Sequence, residues 1–500
     1  MELLTASYLM TIMVLWISYK VYKWSHPKSK GKLPPGSTGL PYIGETIQFF
    51  TPYHLYDIPP FIKKRVKRYG SLFVTSIVGQ KIVVSTDPEV NNFIFQQEDK
   101  IFECFYTDGF VKLLGTDSIL AYHGYLHKYI KSLILRLVSP ENLKANLLHE
   151  MDFSTRDAFQ SWSSRGSVEI KEEVADMVFA YASKLVMSYD ETKAKQNNFR
   201  GNFKDFLDGL ISFPINIPGT AFHACLQGRK NAMKVITDAF VERQASPHKL
   251  DDQKDFLDYL IEEINDKDTI LNQGVAADLV FVLLFATFET TSTSITMATK
   301  FLADNPTALE ELTKEHQNIL KNRSEQDTEI TWKEYKSMTF THMVINETVR
   351  LANIVPGIFR RVIKDVNLKG NDHLIKYYYH LAYVKLSSFG EGYTIPKGMI
   401  VMVSPSTVHL NSDKYEDPLA FNPWRWKGKE LHLGSKEFMA FGGGVRLCVG
   451  ADFAKLQLAV YLHYLVTKYR WKVTKGGDIV RKPGLMFPNG LHLEISELQN

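Results

Sequence analysis

The chain is short of cysteine and of net charge, and each shortage excludes a class of protein. Its 500 residues include only Cys104, Cys225 and Cys448, which give no disulfide framework and fit a reducing compartment. The formal net charge of +4 is too weak to argue for a nucleic-acid-binding protein. Repeats, low-complexity blocks and a composition shift marking a second large domain are also missing.

The composition and the periodic patterns describe a large helical protein. Hydrophobic residues make up 45% of the chain and charged residues 23%, which is ordinary for a globular core. The pattern is helical over most of 87–346, a hairpin is predicted within 72–85, and strand patterns return only at 354–368 and 393–404. We therefore predict a mainly α fold with a small β-sheet (α+β), forming one domain over residues 45–500.

The N-terminus predicts a membrane anchor. The run from Leu3 to Tyr19 is uncharged, and the lysines that follow it place the body of the protein in the cytosol by the positive-inside rule. A cleaved signal peptide is the alternative, but Glu2 and the lack of a small-x-small site argue against it. We expect residues 1–24 to anchor the chain in the endoplasmic reticulum membrane and the basic, proline-rich residues 25–44 to form a hinge.

A glycine-rich stretch at 441–450 surrounds one of the cysteines. Cys448 comes just before an amphipathic helix, where the helix dipole and nearby amides favour the thiolate. The glycines allow close approach to a flat partner, and Arg446 offers a fixed positive charge. A buried inert cysteine or a phosphate-binding loop are the alternatives, although no Gly-Lys-Ser/Thr follows.

This stretch resembles the haem-binding signature of the cytochrome P450 family. Five residues match it in type and spacing: Phe441, Gly444, Arg446, Cys448 and Gly450. The resemblance implies a cytochrome P450 fold that buries haem b between a long central helix and the cysteine loop. It assigns the iron to Cys448, a haem propionate to Arg446, and cofactor binding to Phe441, Gly444 and Gly450.

The segment 278–300 is the expected central helix. Its first half is apolar all round, which predicts a buried helix, and its second half is rich in threonine around Glu289. That carboxylate could face outward or pair with a distant arginine. Residues 286–291 resemble the family's oxygen-activation motif, with Thr287 where glycine is commonest. The resemblance makes Glu289 the proton source and Thr290 the hydroxyl that holds the activated oxygen and its water.

Three more basic residues are assigned to the haem edge by the resemblance. Gly124, His127 and Lys131 resemble a Gly-x-x-His-x-x-x-Arg pattern of related plant enzymes, with lysine replacing the arginine. Without the family, His127 and Lys131 would be interpreted as a solvated basic face. Arg360, on a predicted strand, matches a further propionate ligand.

A Glu-x-x-Arg pair and a later arginine resemble the family's structural triad. The pair is Glu347 and Arg350, and the third member is Arg425 in a Pro-Trp-Arg-Trp sequence. The resemblance implies a buried ion network that scaffolds the core on the haem side rather than taking part in catalysis.

Residues 371–392 depart from the family. In relatives the flanking pieces form a short hairpin, whereas this tyrosine-rich block carries no motif. We hypothesise a retained intron or an erroneous gene model; a mature transcript that contains the block would refute this. An excursion at a hairpin tip adds little loop entropy, so the fold would survive it.

The resemblance, taken over the whole chain, implies a membrane-anchored haem-thiolate monooxygenase. Electrons would come from NADPH through NADPH-cytochrome P450 reductase, docked near Lys427, Lys429, Lys436 and Lys455. The motifs are most similar to the plant clan that oxidises sterols, triterpenes and terpenoid hormones, and hydroxylation of an apolar triterpene or sterol is the first expectation. The alternatives are an oxidase of a smaller terpenoid acid of the abscisic or gibberellin type, an O2-independent haem-thiolate isomerase or dehydratase, and a haem binder inactivated by 371–392.

Overall fold

Helices make up most of the chain in the computed structural model. The residues it describes are 2–25, 31–115, 118–189, 191–212, 214–246, 254–267, 269–323, 329–368, 392–429 and 431–498. Within them the α-helices are Glu2–Ser25, Thr46–Phe49, Pro60–Tyr69, Pro88–Gln96, Asp108–Leu114, Gly124–Leu137, Pro140–Asn142, Leu148–Arg165, Ile170–Met187, Glu191–Gln196, Phe199–Leu210, Ala221–Ala245, Phe256–Asn265, Gln273–Asp304, Pro306–Lys321, Trp332–Ser337, Thr339–Ala352, Pro405–His409 and Ala451–Thr467.

Among the described residues the strands form four small sheets. The largest has the order Leu72–Ile77, Gln80–Ser85, Ile400–Val403, Ile358–Val362, Phe102–Cys104. The others are Tyr53–His54 with Val480–Lys482 and Gly484–Met486; Tyr469–Gly476 with Leu491–Glu497 and Ser167–Glu169; and Val366–Leu368 with Tyr393–Ile395. The predicted mainly α fold with a minor β component is confirmed.

The strand prediction is incomplete in the last part of the chain. Strands occur beyond 404, at Tyr469–Gly476 and Leu491–Glu497, which pair antiparallel. Apolar and polar residues alternate from Tyr469 to Thr474, the pattern of a half-buried strand, so the sequence did contain a strand pattern here. The three-residue strands Phe102–Cys104 and Ser167–Glu169 are too short to show a period, and only pairing with distant partners defines them.

The predicted hairpin around the atypical block closes despite the extra residues. Val366 pairs with Ile395 and Leu368 with Tyr393, antiparallel. Almost all of the block 371–392 lies outside the described residues. The strand pairing on either side of the block therefore does not require a short connection.

The long helix Gln273–Asp304, here called the central helix, organises the core. Asn272 caps its N-terminus by accepting a hydrogen bond from the backbone N–H of Val275. Most of its side chains are buried, and its buried apolar side chains belong to one large hydrophobic cluster that also includes residues of helix Ala451–Thr467. The Thr299 and Tyr461 hydroxyls lie 3.0 Å apart and join the two helices.

Two helices bear on the question of membrane contact. The central helix is long and apolar enough to cross a membrane, but 61% of its most apolar window is buried, as expected of a core helix. In Glu2–Ser25 the apolar stretch Met10–Tyr22 is shorter, and its large side chains, such as Leu15 and Trp16, are exposed.

Candidate functional site

The cysteine loop (441–450) holds Cys448 in an enclosed but accessible position. The backbone N–H of Cys448 donates to the Phe441 carbonyl at 2.9 Å, and helix Ala451–Thr467 begins three residues later. Cys448 is accessible, yet burial raises the pKa of its thiol. The Gly450 N–H and the Lys131 charge lower that pKa, but by less. The helix start alone therefore does not produce the thiolate we expected, whereas a bound metal ion would.

Two glycines of the loop, Gly443 and Gly444, lie close to another segment of the protein. A Cβ on Gly444 would lie 2.1 Å from the Phe95 carbonyl oxygen, and one on Gly443 would lie 2.6 Å from the Phe95 ring. Gly444 also has φ +64°, which favours glycine. The close approach that requires these glycines is thus to the C-terminal end of helix Pro88–Gln96, a contact between protein segments.

Positively charged side chains gather beside the cysteine loop. Lys131, on helix Gly124–Leu137, donates to the Val445 carbonyl at 2.8 Å. His127 lies one turn earlier; burial, followed by the charges of Arg446 and Lys131, lowers its pKa to about 4. His127 is therefore neutral at physiological pH, and its Nδ1 is buried with no hydrogen-bond partner among the described residues. His127, Lys131 and Arg446, three of the four side chains predicted at the haem edge, are therefore close enough to influence one another electrostatically.

Arg360 joins this group through a residue that the sequence did not single out. Strand Ile358–Val362 alternates its side chains, so Arg360 is buried whereas Arg361 is half-exposed and lies 3.6 Å from Glu103. One carboxylate oxygen of Glu98 lies 2.5 Å from the Arg360 Nε, and the other lies 2.9 Å from the Arg446 Nε. One buried carboxylate therefore connects both arginines that were predicted to bind propionates.

These residues fit a planar, iron-bearing group with two carboxylates. The thiol is accessible within an enclosed setting, as a metal ligand must be. The unpartnered Nδ1 of His127 and the cations of Lys131, Arg360 and Arg446 suit carboxylates at the edge of such a group. The donor set thus has one soft ligand and a cationic rim, which is the chemistry that haem b requires.

One face of the central helix is exposed in the middle of the helix. Residues 275–282 and 291–299 are buried, whereas Ala286 and Thr290 are exposed and lie one turn apart. The Thr290 hydroxyl donates to the Ala286 carbonyl at 2.6 Å, the back-bonding expected of threonine in a helix. Ala286 and Thr290 therefore form an accessible patch between two buried segments of the helix, and the Thr290 hydroxyl lies on it.

Glu289 is paired with a lysine, not the arginine that the sequence left open. Its carboxylate lies 3.0 Å from the Lys171 Nζ of helix Ile170–Met187 and accepts a hydrogen bond from the Thr293 hydroxyl at 3.3 Å. Lys171 also donates to the Ser292 hydroxyl at 3.3 Å. Because the Glu289 side chain keeps 35% of its surface exposed, the pair is within reach of water.

Glu347, Arg350 and Arg425 come together in the core. Arg350 forms two parallel hydrogen bonds with the Glu347 carboxylate, both 2.8 Å, and the Arg425 Nε lies 2.9 Å from it. The Trp426 indole N–H and the Asn422 backbone N–H also donate to that carboxylate, each at 3.0 Å. Glu347 and Arg350 have no exposed side-chain surface.

The four lysines expected at a docking face differ in availability. Lys427 and Lys429 are exposed. Lys436 pairs with Glu89 at 2.6 Å, and burial lowers the pKa of Lys455. The basic surface at this point is therefore smaller than the sequence suggested.

Glu98 and Lys171 are the residues that sequence reasoning missed. Glu98 stands in Gln-Gln-Glu-Asp-Lys after a helix, a sequence typical of an exposed turn. Lys171 occupies the first turn of a helix that also carries Glu172 and Glu173, where any lysine would be interpreted as a solvated charge. No local signal could have found either one, because their partners are more than a hundred residues away.

Comparisons with known proteins identify the family of this chain. The sequence profile of the family described as Cytochrome P450 matches residues 34–378 and 384–496. Cytochrome P450 87A3 of Oryza sativa subsp. japonica is 51% identical, over 95% of this chain and 88% of its own. Beta-amyrin 16-alpha-hydroxylase of Maesa lanceolata is 39% identical over 97% of both chains, and cucurbitadienol 11-hydroxylase of Siraitia grosvenorii 38% over 98% of both.

A solved structure confirms the fold that the resemblance implied. Retinoic acid-bound cyanobacterial CYP120A1 matches with a TM-score of 0.78 at 24% identity, over 94% of this chain and 100% of that one. At this identity the likeness is evidence of the fold alone.

Proposed function

The chain belongs to the cytochrome P450 monooxygenase family, and we propose that it hydroxylates an apolar triterpene or sterol with dioxygen and NADPH-derived electrons. The observation that carries the substrate class is similarity along nearly the full length to a beta-amyrin hydroxylase and a cucurbitadienol hydroxylase. A cholesterol 16,22-dihydroxylase of Trigonella foenum-graecum, 34% identical over 97% of this chain, supports the same class. None of these three hydroxylases is named for a smaller terpenoid acid, so they do not support the alternative of an oxidase of such an acid.

The haem that the family implies would be bound by the cysteine thiol and by basic side chains at its edge. Cys448 would ligate the iron, and His127, Lys131, Arg360 and Arg446 would bind the propionates. Phe441, Gly444 and Gly450 would keep the loop in the conformation that presents the thiol. Bound haem supplies the iron chemistry that activates dioxygen.

On the opposite side, Glu289 and Thr290 would hold and move protons. Thr290 donates its own proton to the Ala286 carbonyl, so its oxygen lone pairs remain free to accept a hydrogen bond from a water molecule. Glu289 can exchange a proton with water because it is partly exposed, and Lys171 orients its carboxylate. An O2-independent isomerase or dehydratase would not need such a pair, which favours the monooxygenase.

Electrons would arrive from NADPH through NADPH-cytochrome P450 reductase. Lys427 and Lys429 are exposed on the side of the molecule that carries the structural triad, and cations there would attract an acidic partner.

The exposed apolar side chains of Met10–Tyr22 support a single-pass anchor in the endoplasmic reticulum membrane with a cytosolic catalytic domain.

The test uses the full chain in microsomes together with reductase and NADPH. We expect the reduced, carbon-monoxide-bound spectrum of a thiolate-ligated haem, and hydroxylation of a triterpene or sterol in a panel that includes beta-amyrin, cucurbitadienol and cholesterol. Cys448→Ser should abolish both signals. Cys225→Ser is the matched control, because that buried thiol donates to the Phe206 carbonyl and lies outside the site. A correct spectrum with turnover only of small terpenoid acids would refute the substrate class.

A further inference from the structure

A buried carboxylate, Glu98, lies between the two arginines assigned to the haem edge. We propose that Glu98 is a positioning residue: it fixes the geometry of Arg360 and Arg446 and balances their charge, and thereby tunes the reduction potential of the bound haem. This inference rests on the proposed function, since it concerns residues that would contact haem.

The contacts of Glu98 join three separate parts of the fold. Glu98 follows helix Pro88–Gln96, Arg360 is on strand Ile358–Val362, and Arg446 is in the cysteine loop. The two arginine Nε atoms lie 2.5 and 2.9 Å from different carboxylate oxygens, and the backbone N–H of Cys104 donates at 2.9 Å. With 1% of its side chain exposed, the carboxylate has no freedom to leave its partners for water.

Because Glu98 uses the Nε atoms, terminal guanidinium nitrogens are left for other partners. Arg446 directs one Nη toward the Tyr122 carbonyl and the His123 ring, and one Nη of Arg360 donates to the Phe359 carbonyl. Each guanidinium has five N–H donors in a rigid fork, so donors remain for a propionate. Glu98 thus sets the orientation of each fork without using all of its donors.

Glu98 also affects the balance of charge near the thiol. Lys131, Arg360 and Arg446 are three cations, and Glu98 is the buried anion that pairs with the two arginines. The cations outnumber this carboxylate and the exposed Asp99 carboxylate beside it, which leaves positive charge for the propionates of haem b. Without Glu98 one positive charge would stay uncompensated in a region of low dielectric, where it would favour the iron state with one more electron.

A cation site is the competing interpretation of the same residues. Ligand atoms of Glu98, Asp99 and His123 lie within 4.8 Å of one another. However, two guanidinium groups already occupy the Glu98 carboxylate, and His123 Nδ1 lies 3.2 Å from an Arg446 nitrogen. The arginine charges would repel a metal cation, so positioning of the arginines accounts better for the contacts.

Three variants of the full-length protein test the proposal. Glu98→Gln removes the charge at nearly constant shape, and Glu98→Asp keeps the charge but is too short to reach both arginines. Glu103→Gln is the matched control: Glu103 also pairs with an arginine of strand Ile358–Val362, but with the half-exposed Arg361. The measurements are the midpoint potential of the haem by spectroelectrochemistry and the rate of haem transfer to apomyoglobin.

We expect Glu98→Gln to shift the potential in the positive direction, whereas Glu98→Asp and Glu103→Gln keep the wild-type potential. Haem release should become about tenfold faster in Glu98→Asp, because charged hydrogen bonds at the edge lose their alignment. An unshifted potential in Glu98→Gln, or an equal shift in Glu103→Gln, would overturn the proposal, even if the folded yield fell. If the wild-type protein gave no thiolate-haem spectrum, the proposed function itself would fail.

Discussion

Two helical carboxylates, Glu347 and Glu289, illustrate opposite ways to treat a charge inside this molecule. Glu347 has no exposed side-chain surface and is saturated by two arginines, an indole N–H and a backbone N–H. Glu289 keeps 35% of its side chain exposed and has one lysine and one long hydroxyl contact. A saturated buried carboxylate cannot exchange its proton readily, so it holds structure, whereas a partly exposed one with few partners can work as an acid or base.

The largest effect should come from Glu347→Gln. The substitution leaves Arg350 and Arg425 buried without their counter-ion, which costs about 3–5 kcal/mol. We expect most of the folded haem protein to be lost, measured as the yield of the reduced carbon-monoxide spectrum. A normal yield would mean that the network adds little stability and that the comparison with Glu289 fails.

Glu289→Gln should behave in the opposite way. We expect normal folding and a normal haem spectrum, but about a hundredfold slower product formation, because the residue that transfers the proton is gone. Product formed per NADPH consumed and the solvent deuterium isotope effect are the measurements. Thr290→Ser, which keeps the hydroxyl, is the control and should retain most of the activity. Loss of folded protein in Glu289→Gln would make this carboxylate structural as well.

Deleting the block 371–392 changes neither carboxylate and tests whether stability depends on a part of the chain outside the two charge networks. Deleting 371–392 would connect the paired strands Val366–Leu368 and Tyr393–Ile395 through Lys369 and Gly370, a two-residue connection suited to a hairpin. At about 0.6 kcal/mol per doubling of loop length, we expect a stabilisation of about 2 kcal/mol, measured by thermal unfolding of the holoprotein. Turnover should be retained. Lower stability after the deletion would show that the block contributes to the fold.

Lys171→Met tests the partner of Glu289. The lysine orients the carboxylate, and its loss should slow turnover about threefold to tenfold, with less than about 1 kcal/mol of stability lost because the pair is partly exposed. Lys184→Met is the matched control: it removes a lysine of the same helix that pairs with Glu150 on the surface. Equal effects of both variants on turnover would argue against a specific role for Lys171.

The smallest effect should follow Thr293→Val. The hydroxyl of Thr293 lies 3.3 Å from the Glu289 carboxylate, which is long for a hydrogen bond to a charge. We expect turnover within about twofold of wild type and a stability loss of about 1 kcal/mol. The control is Thr296→Val: the Thr296 hydroxyl donates to the Ser292 carbonyl in the preceding turn, and its loss should cost similar stability and leave turnover unchanged. A large loss of turnover in Thr293→Val alone would make the hydroxyl part of the proton path.

The parts of the fold that the sequence predicted well are those with strong local patterns. The central helix has an apolar first half that is buried in the structure, and the hairpin within 72–85 turns at Val78-Gly79 between two strands that contain several β-branched residues. Short strands such as Phe102–Cys104 lack any such pattern, since three residues show no period. They exist because Cys104 pairs with Arg360, far along the chain.

The cysteine loop and the central-helix motif could be identified from the sequence alone, because each motif lies within ten residues and its spacing is visible along the chain. The tertiary structure alone decided which charges meet. Glu98 and Arg446, or Lys171 and Glu289, become neighbours only when separate elements pack together. A buried charge requires a partner, but no local sequence pattern indicates which residue becomes that partner in the folded protein.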